Sequence, residues 1–222
     1  MADEVDERLD RLAALIASSP HNLVGARDRE HVRERHIDEA AALLPLLHLR
    51  QGERWLDLGT GGGLPGLALA ILRPATSWTL LDATRKKVVE VQRFIDELHV
   101  PNARAVWGRA EDLAHADEHR GVYDGVVSRA VGPLPVVMEL ARGFLHDGGR
   151  LAAIKGPAVK AELDQAKAAR KALRLHAINS RPVRDPGRST LVVTMRAQGP
   201  PPARYPRRVG EPAAAPLGGR SR

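Results

Sequence analysis

Apolar residues at positions 5, 9, 12, 13 and 16 share one helical face, with charged residues between them, so the spacing predicts an amphipathic helix over 5–17. The stretch SSPHN, residues 18–22, breaks that pattern at Pro20. Helical spacing resumes over 28–48, where Asp28 can cap the start. The polar half of this segment reads HVRERH and the apolar half LLPLLHL, and Pro45 is expected to kink or end it.

A different texture begins at residue 54. Five short apolar runs follow: RWLDLG (54–59), SWTLLD (77–82), ARAVWG (103–108), YDGVVSRA (123–130) and GRLAAIKG (149–156). Helix-like segments separate them, and in the second of these residues 88, 91, 94, 95 and 98 lie on one face. Alternation of this kind predicts an α/β fold: a mostly parallel twisted sheet with helices on both faces, preceded by an N-terminal helical segment. HDGG at 146–149 reads as a turn before the fifth strand, 158–176 as an Ala-, Lys- and Arg-rich helix, and STLVVTMR at 189–196 as a further strand. From Gln198 onward Pro, Gly, Ala and Arg dominate, and little order is expected until a partner binds. The expected organisation is an N-terminal helical segment (1–50), an α/β domain (51–197) and a flexible basic tail (198–222).

Composition narrows the classes. With 43% hydrophobic but only 3% aromatic residues, Leu, Val, Ile and Ala must fill the core. The absence of cysteine excludes disulfides, thiolate metal sites and a cysteine nucleophile, and it fits a reducing cytoplasm. No apolar run approaches the ~20 residues needed to span a bilayer, and the acidic start MADEVDERLD lacks the regions of a signal peptide. A cytoplasmic protein with no membrane partner is expected. The net charge of +7 is uneven, because residues 196–222 carry six arginines and a single acid, Glu211. Such a tail points either to a polyanion such as RNA or to a solvated terminus.

The chemistry gathers at DLGTGGGLPG, residues 57–66. A glycine-rich turn between strand and helix lets backbone approach a ligand and aims helix N–H groups at it. Gly61 to Gly66 match G-x-G-x-x-G, so a dinucleotide is one reading and S-adenosyl-L-methionine another. Asp57 favours the second, because a carboxylate there suits the methionine amino group better than a pyrophosphate; a purely structural carboxylate is the alternative. Asp82, ending the second strand, can bind ribose hydroxyls of either ligand. Ala110 and Glu111 fall where adenine would lie, although Glu111 could instead cap the next helix. Arg129 and Lys155 end the fourth and fifth strands, at the edge where open α/β sheets bind ligands. A buried Arg needs a carboxylate or phosphate. Two cations there point to an anionic substrate, with a structural Arg–Glu pair as the alternative.

Together these residues resemble a known family, the bacterial 16S ribosomal RNA guanine-N7 methyltransferases (RsmG, also called GidB). The resemblance is carried by Asn22-Leu23, E-R-H at 34–36, DLGTGGGLPG at 57–66, L-L-D-x-x-x-K-K-V at 80–88, G-R-A-E at 108–111 and S-R-A at 128–130. It continues with K-G at 155–156, Arg188 with L-V-V at 191–193, and Y-P-R-R at 205–208, so it covers nearly the whole chain. Family members often have N-L-T where this chain has Val24, and an Asp-Ser pair where it has Glu39-Ala40.

The resemblance implies a Rossmann-like class I methyltransferase that uses S-adenosyl-L-methionine to methylate N7 of a guanine in a 16S rRNA loop near the decoding centre. Its implied partner is 16S rRNA or the small ribosomal subunit, and a monomer is expected. Cofactor contacts carried over by motif are Gly59, Leu64, Ala110, Glu111 and Arg129, beside Asp57, Gly61 and Asp82 from the residues themselves. RNA contacts are expected from Arg33, Arg35, His36, Arg129, Lys155, Arg188, Arg207 and Arg208. N7 carries a free lone pair and no proton at neutral pH, so no catalytic base and no metal are assigned. The rival functions are a small-molecule methyltransferase and a non-catalytic RNA-binding or ribosome-assembly factor.

Overall fold

The computed structural model describes residues 2–183 and 189–219. Helix α1 (Ala2–Ser18) buries Leu9, Leu12 and Ile16, the stripe that its sequence spacing predicts. The expected second helix is instead three pieces: a 3₁₀ segment (Ala26–His31), a π-helical turn (Arg33–Ile37) and α2 (Asp38–Leu47). Pro45 does not end α2, because it lies in the last turn, where its ring removes a single hydrogen bond. His48, left-handed at φ 49°, ends the helix instead.

The sheet comprises β1 (Arg54–Leu58), β2 (Ser77–Asp82), β3 (Ala103–Trp107), β4 (Tyr123–Arg129), β5 (Leu145–Lys155), β6 (Leu175–Pro182) and β7 (Leu191–Ala197). Their spatial order is β3-β2-β1-β4-β5-β7-β6. The first five run parallel, whereas β7 is antiparallel to both β5 and β6. The connecting helices are α3 (Gly66–Leu72), α4 (Arg85–Glu97), α5 (Ala110–Leu113), α6 (Leu134–Arg142), α7 (Val159–Gln165) and α8 (Lys167–Leu173), and α9 (Glu211–Ala214) follows the last strand. This is the expected doubly wound architecture. The HDGG stretch is not a turn; β5 runs through it, with Gly148 at φ 79° and a register shift opposite Tyr123–Gly125. The segment 158–176 divides into α7, α8 and the start of β6.

Strand alternation splits the core in two. Trp55 points to the layer of α1–α4 and meets Trp78 at 5.7 Å between ring centroids. Leu56 and Leu58 point the other way, to the layer of α5–α8. In β5, Ala152 and Ile154 face the first layer and Leu151 and Ala153 the second. Among the described residues, no helix is long and apolar enough to cross a membrane.

Residues 198–219 depart from the expectation of little order. Fully buried Arg142 donates to the carbonyls of Gln198, Gly199 and Pro200 at 2.7–3.2 Å, and Arg120 to those of Pro201, Pro202 and Tyr205. A Pro- and Gly-rich segment has few apolar side chains to pack, but its carbonyls can still be held by donors from the body. Burial pulls the Arg142 pKa down to about 10, helped by Arg174 and Arg120 nearby. At neutral pH it therefore remains a charged donor.

Candidate cofactor and substrate clefts

The Gly-rich turn is fixed from below by two carboxylates. Asp57 Oδ2 accepts from Thr60 Oγ1 at 2.7 Å and from the Gly66 N–H at 2.9 Å, tying β1 to the start of α3. A Cβ on Gly66 would stand 2.7 Å from that of Asp57, so only glycine lets the helix approach this closely. Asp82 Oδ2 accepts from Gly61 N–H at 3.0 Å, and Oδ1 from Thr84 N–H at 2.8 Å. Asp57 is completely buried, and desolvation raises its pKa to about 6 against the Thr60 and Gly66 hydrogen bonds. Its Oδ1 has no hydrogen-bond partner.

Above the turn, a cavity of about 200 Å³ opens at the C-terminal edge of β1–β3. Gly59, Asp82, Ala110 and Glu111, four of the expected cofactor residues, line it. Val131, Val136, Leu140, Pro212 and Ala213 complete its apolar walls. Asp57, Gly61 and Leu64 do not line it: Asp57 and Gly61 shape the turn, and the Leu64 side chain packs into the core beneath α3. Glu111 is buried and accepts from Arg109 and from the Gly210 N–H at 2.9 Å; these bonds outweigh burial and hold its pKa below the ordinary range.

A second, larger cavity of about 500 Å³ lies beyond the ends of β4 and β5. Arg129 and Ala130 line it while the next residue, Val131, lines the first, so one strand end forms a shared wall. Arg129 Nη1 donates to Glu39 Oε2 at 2.9 Å and lies 2.8 Å from His36 Nδ1. Glu39 also accepts from Thr190. Lys155 Nζ pairs with Glu162 and donates to Gly132 O, both at 2.7 Å. Arg129 thus meets the carboxylate its burial demanded, and that partner is protein. The two strand-end cations are each neutralised, which corrects the expectation of a positively charged edge selecting an anion.

The expected RNA residues separate in the same way. Arg35 pairs with Asp28 at 2.6 Å, and Arg33 is shared by Asp6, Asp10 and Asp38. Arg207 is not a surface contact but a clamp on fully buried Glu139. Arg208 is exposed, beside a polar recess with Arg204 and His115. Arg188 lies outside the described residues. Sequence reasoning missed Pro212 and Ala213, since nothing in E-P-A-A signals proximity to β2.

A family model described as rRNA small subunit methyltransferase G (GidB) matches residues 7–189. The Ribosomal RNA small subunit methyltransferase G of Deinococcus radiodurans is 40% identical over 216 residues, covering 96% of this chain and 85% of that protein. That of Symbiobacterium thermophilum is 37% identical over 207 residues, covering 88% and 82%. Among solved structures, Aeropyrum pernix fibrillarin with bound S-adenosyl-L-methionine superposes with a TM-score of 0.56 at 19% identity, over 73% of this chain and 75% of that one. A predicted O-methyltransferase from Agrobacterium tumefaciens gives 0.58 at 17% identity, over 72% and 80%. These two likenesses speak for the fold. The family match over residues 7–189 and the long coverage of the relatives place the chain in the rRNA small subunit methyltransferase G family.

Proposed function

We propose that this chain transfers a methyl group from S-adenosyl-L-methionine to N7 of a guanine in a 16S rRNA loop near the decoding centre. The first cavity fits the cofactor by its chemistry. Asp82 and Glu111 offer carboxylates beside apolar walls, and Asp57, buried beneath the turn and not lining the cavity, keeps an Oδ1 without a hydrogen-bond partner. When bound, the cofactor supplies a methyl group made electrophilic by its sulfonium.

The observation that carries the reading is the shared wall at 129–131, which sets a second cavity directly against the first. With Arg129 held by Glu39 and Lys155 by Glu162, that cavity presents donors and acceptors with little net charge. Such a lining suits a neutral heterocycle with both kinds of edge better than a bare phosphate. N7 must keep its lone pair free in the reactive pose, so the bidentate Arg contact to O6 and N7 of guanine must be absent. Glu39 favours this, because it engages the Arg129 guanidinium that could otherwise make the contact. The chain's contribution is then alignment and proximity rather than proton transfer.

Small subunits and protein-free 16S rRNA that lack the modification, incubated with labelled cofactor, test this directly. Nucleoside mass spectrometry is expected to find the label in 7-methylguanosine. Label in another nucleoside, or none in either substrate, would overturn the reading.

A further inference from the structure

We propose that Trp107 is a stacking platform for an unpaired base of the RNA substrate, flanking the methylated guanine rather than being it. The inference rests on the RNA-methylation reading above. The chain has three tryptophans. Trp55 and Trp78 are 1% and 2% exposed, whereas Trp107 is 56% exposed. Among the described residues the exposed large apolar side chains are Val89, Trp107 and Val209. An indole left in water at the end of a strand invites a partner.

Its setting selects the partner. The indole N–H donates to Ala83 O at 3.1 Å, which fixes one edge of the ring. The Arg85 guanidinium lies 5.5 Å from the ring centroid, a cation–π arrangement. Arg85 and Lys86 are exposed, and neither has an acidic partner among the described residues. A fixed aromatic face with unneutralised cations beside it matches the two halves of a nucleotide: the base stacks and the phosphate pairs. A purely apolar protein surface would strand those charges.

Position decides which base. Ala83, which accepts from the indole, and Gly108 and Arg109, the two residues after Trp107, line the proposed cofactor cavity, so the indole stands on its outer rim. The strand order β3-β2-β1-β4 puts three strand spacings, ~14 Å, between β3 and the β4 end that walls the substrate cavity. A base on Trp107 is therefore a neighbour of the target in the same unpaired loop.

Because the other tryptophans are buried, acrylamide quenching of intrinsic fluorescence reports on Trp107. Titrating the full chain with a 16S rRNA fragment, followed in parallel by fluorescence anisotropy, is expected to shield Trp107 from acrylamide as RNA binds. Trp107→Ala is expected to weaken RNA affinity roughly 5- to 150-fold, the range for losing one stacked base. Trp107→Tyr should recover most of that loss. Calorimetric cofactor affinity and melting temperature should match the unaltered chain in both variants. RNA binding that leaves Trp107 fully quenchable, or unaltered RNA affinity in Trp107→Ala, would overturn the platform while leaving the functional reading intact. Failure of the unaltered chain to bind any 16S fragment or subunit would overturn both.

Discussion

Arg207 and Glu139 meet through three hydrogen bonds of 2.7–2.9 Å, from the Arg207 backbone N–H, Nε and Nη2 to a carboxylate that is wholly buried in α6. The same guanidinium donates to Ala215 O, and three residues further on Gly210 N–H donates to Glu111 in the lining of the proposed cofactor cavity. The C-terminal hook is thus pinned at its base and forms a cavity wall at its tip. Removing one member of a buried pair strands the other charge, at a cost of about 3–5 kcal/mol. Arg207→Met is expected to lose stability in that range in urea unfolding and to weaken calorimetric cofactor binding, as Pro212 and Ala213 lose their seat. Adding Glu139→Gln removes the stranded charge and should restore part of the stability. No restoration would mean that the pair is not what holds the hook.

Arg208 is the adjacent residue and a different case, because its side chain is exposed. Arg208→Gln is expected to leave stability and cofactor affinity unchanged. Taking away a single cation–phosphate pairing reduces the slope of log affinity against log salt by about 1. A 16S fragment titrated across a salt series measures that slope, and an unchanged slope would remove Arg208 from the RNA interface. Deleting 198–222 outright is not a clean test, since it strips Arg142, Arg120 and Glu139 of their partners.

Gly59 opens the strand-to-helix turn at φ 73°, and a Cβ there would lie 2.4 Å from Val131 Cγ2. Gly59→Ala therefore adds left-handed strain of about 1–2 kcal/mol and an overlap costing a further 1–3 kcal/mol or so. Both residues line the proposed cofactor cavity, so cofactor affinity should fall together with stability. Val131→Ala in the same background relieves the overlap but not the strain. The double variant should sit between Gly59→Ala and the parent in thermal melts; one no more stable than Gly59→Ala would place the cost elsewhere.

The parts of this fold that were legible in sequence are those whose stability is local or periodic. β1, β2, β4 and β5 are buried on both faces and read as apolar runs, and α4 shows its stripe of Val88, Val91, Phe94 and Ile95. β6 was missed because it is the last strand of the sheet, with only Leu175 fully buried along LHAINSRP. The packing of the tail was missed because its carbonyls are held by arginines more than 50 residues away. In the site, chemistry was easier to read than partnership. The need of Arg129 for a carboxylate was visible, but Glu39 lies 90 residues upstream. Asp57 and Asp82 were visible as acceptors, but a glycine-rich turn brings its own N–H groups to them before any ligand does.

Asp57 carries a pH dependence whose sign follows from its burial. Its folded pKa is raised from 3.8 to about 6, chiefly by desolvation. The folded state therefore holds this proton more tightly than the unfolded chain, and stability falls as pH rises from about 4 through 6. The full cost at neutral pH is about 3 kcal/mol, at 1.36 kcal/mol per pKa unit. Asp57→Asn keeps an oxygen for Thr60 and Gly66 without the charge. It is expected to be more stable than the parent at pH 7.5, by about 1–2 kcal/mol after imperfect hydrogen bonding, and to lose this pH slope. Cofactor binding should move the opposite way. A cationic ligand in the cavity above the turn favours the ionised carboxylate beneath it, so in the parent affinity rises with pH through 6 and then levels, while in Asp57→Asn it is weaker and flat. Calorimetry in two buffers of different ionisation enthalpy measures the proton released at pH 5.5. Zero proton release in the parent would detach Asp57 from the cofactor and leave it only the turn to hold.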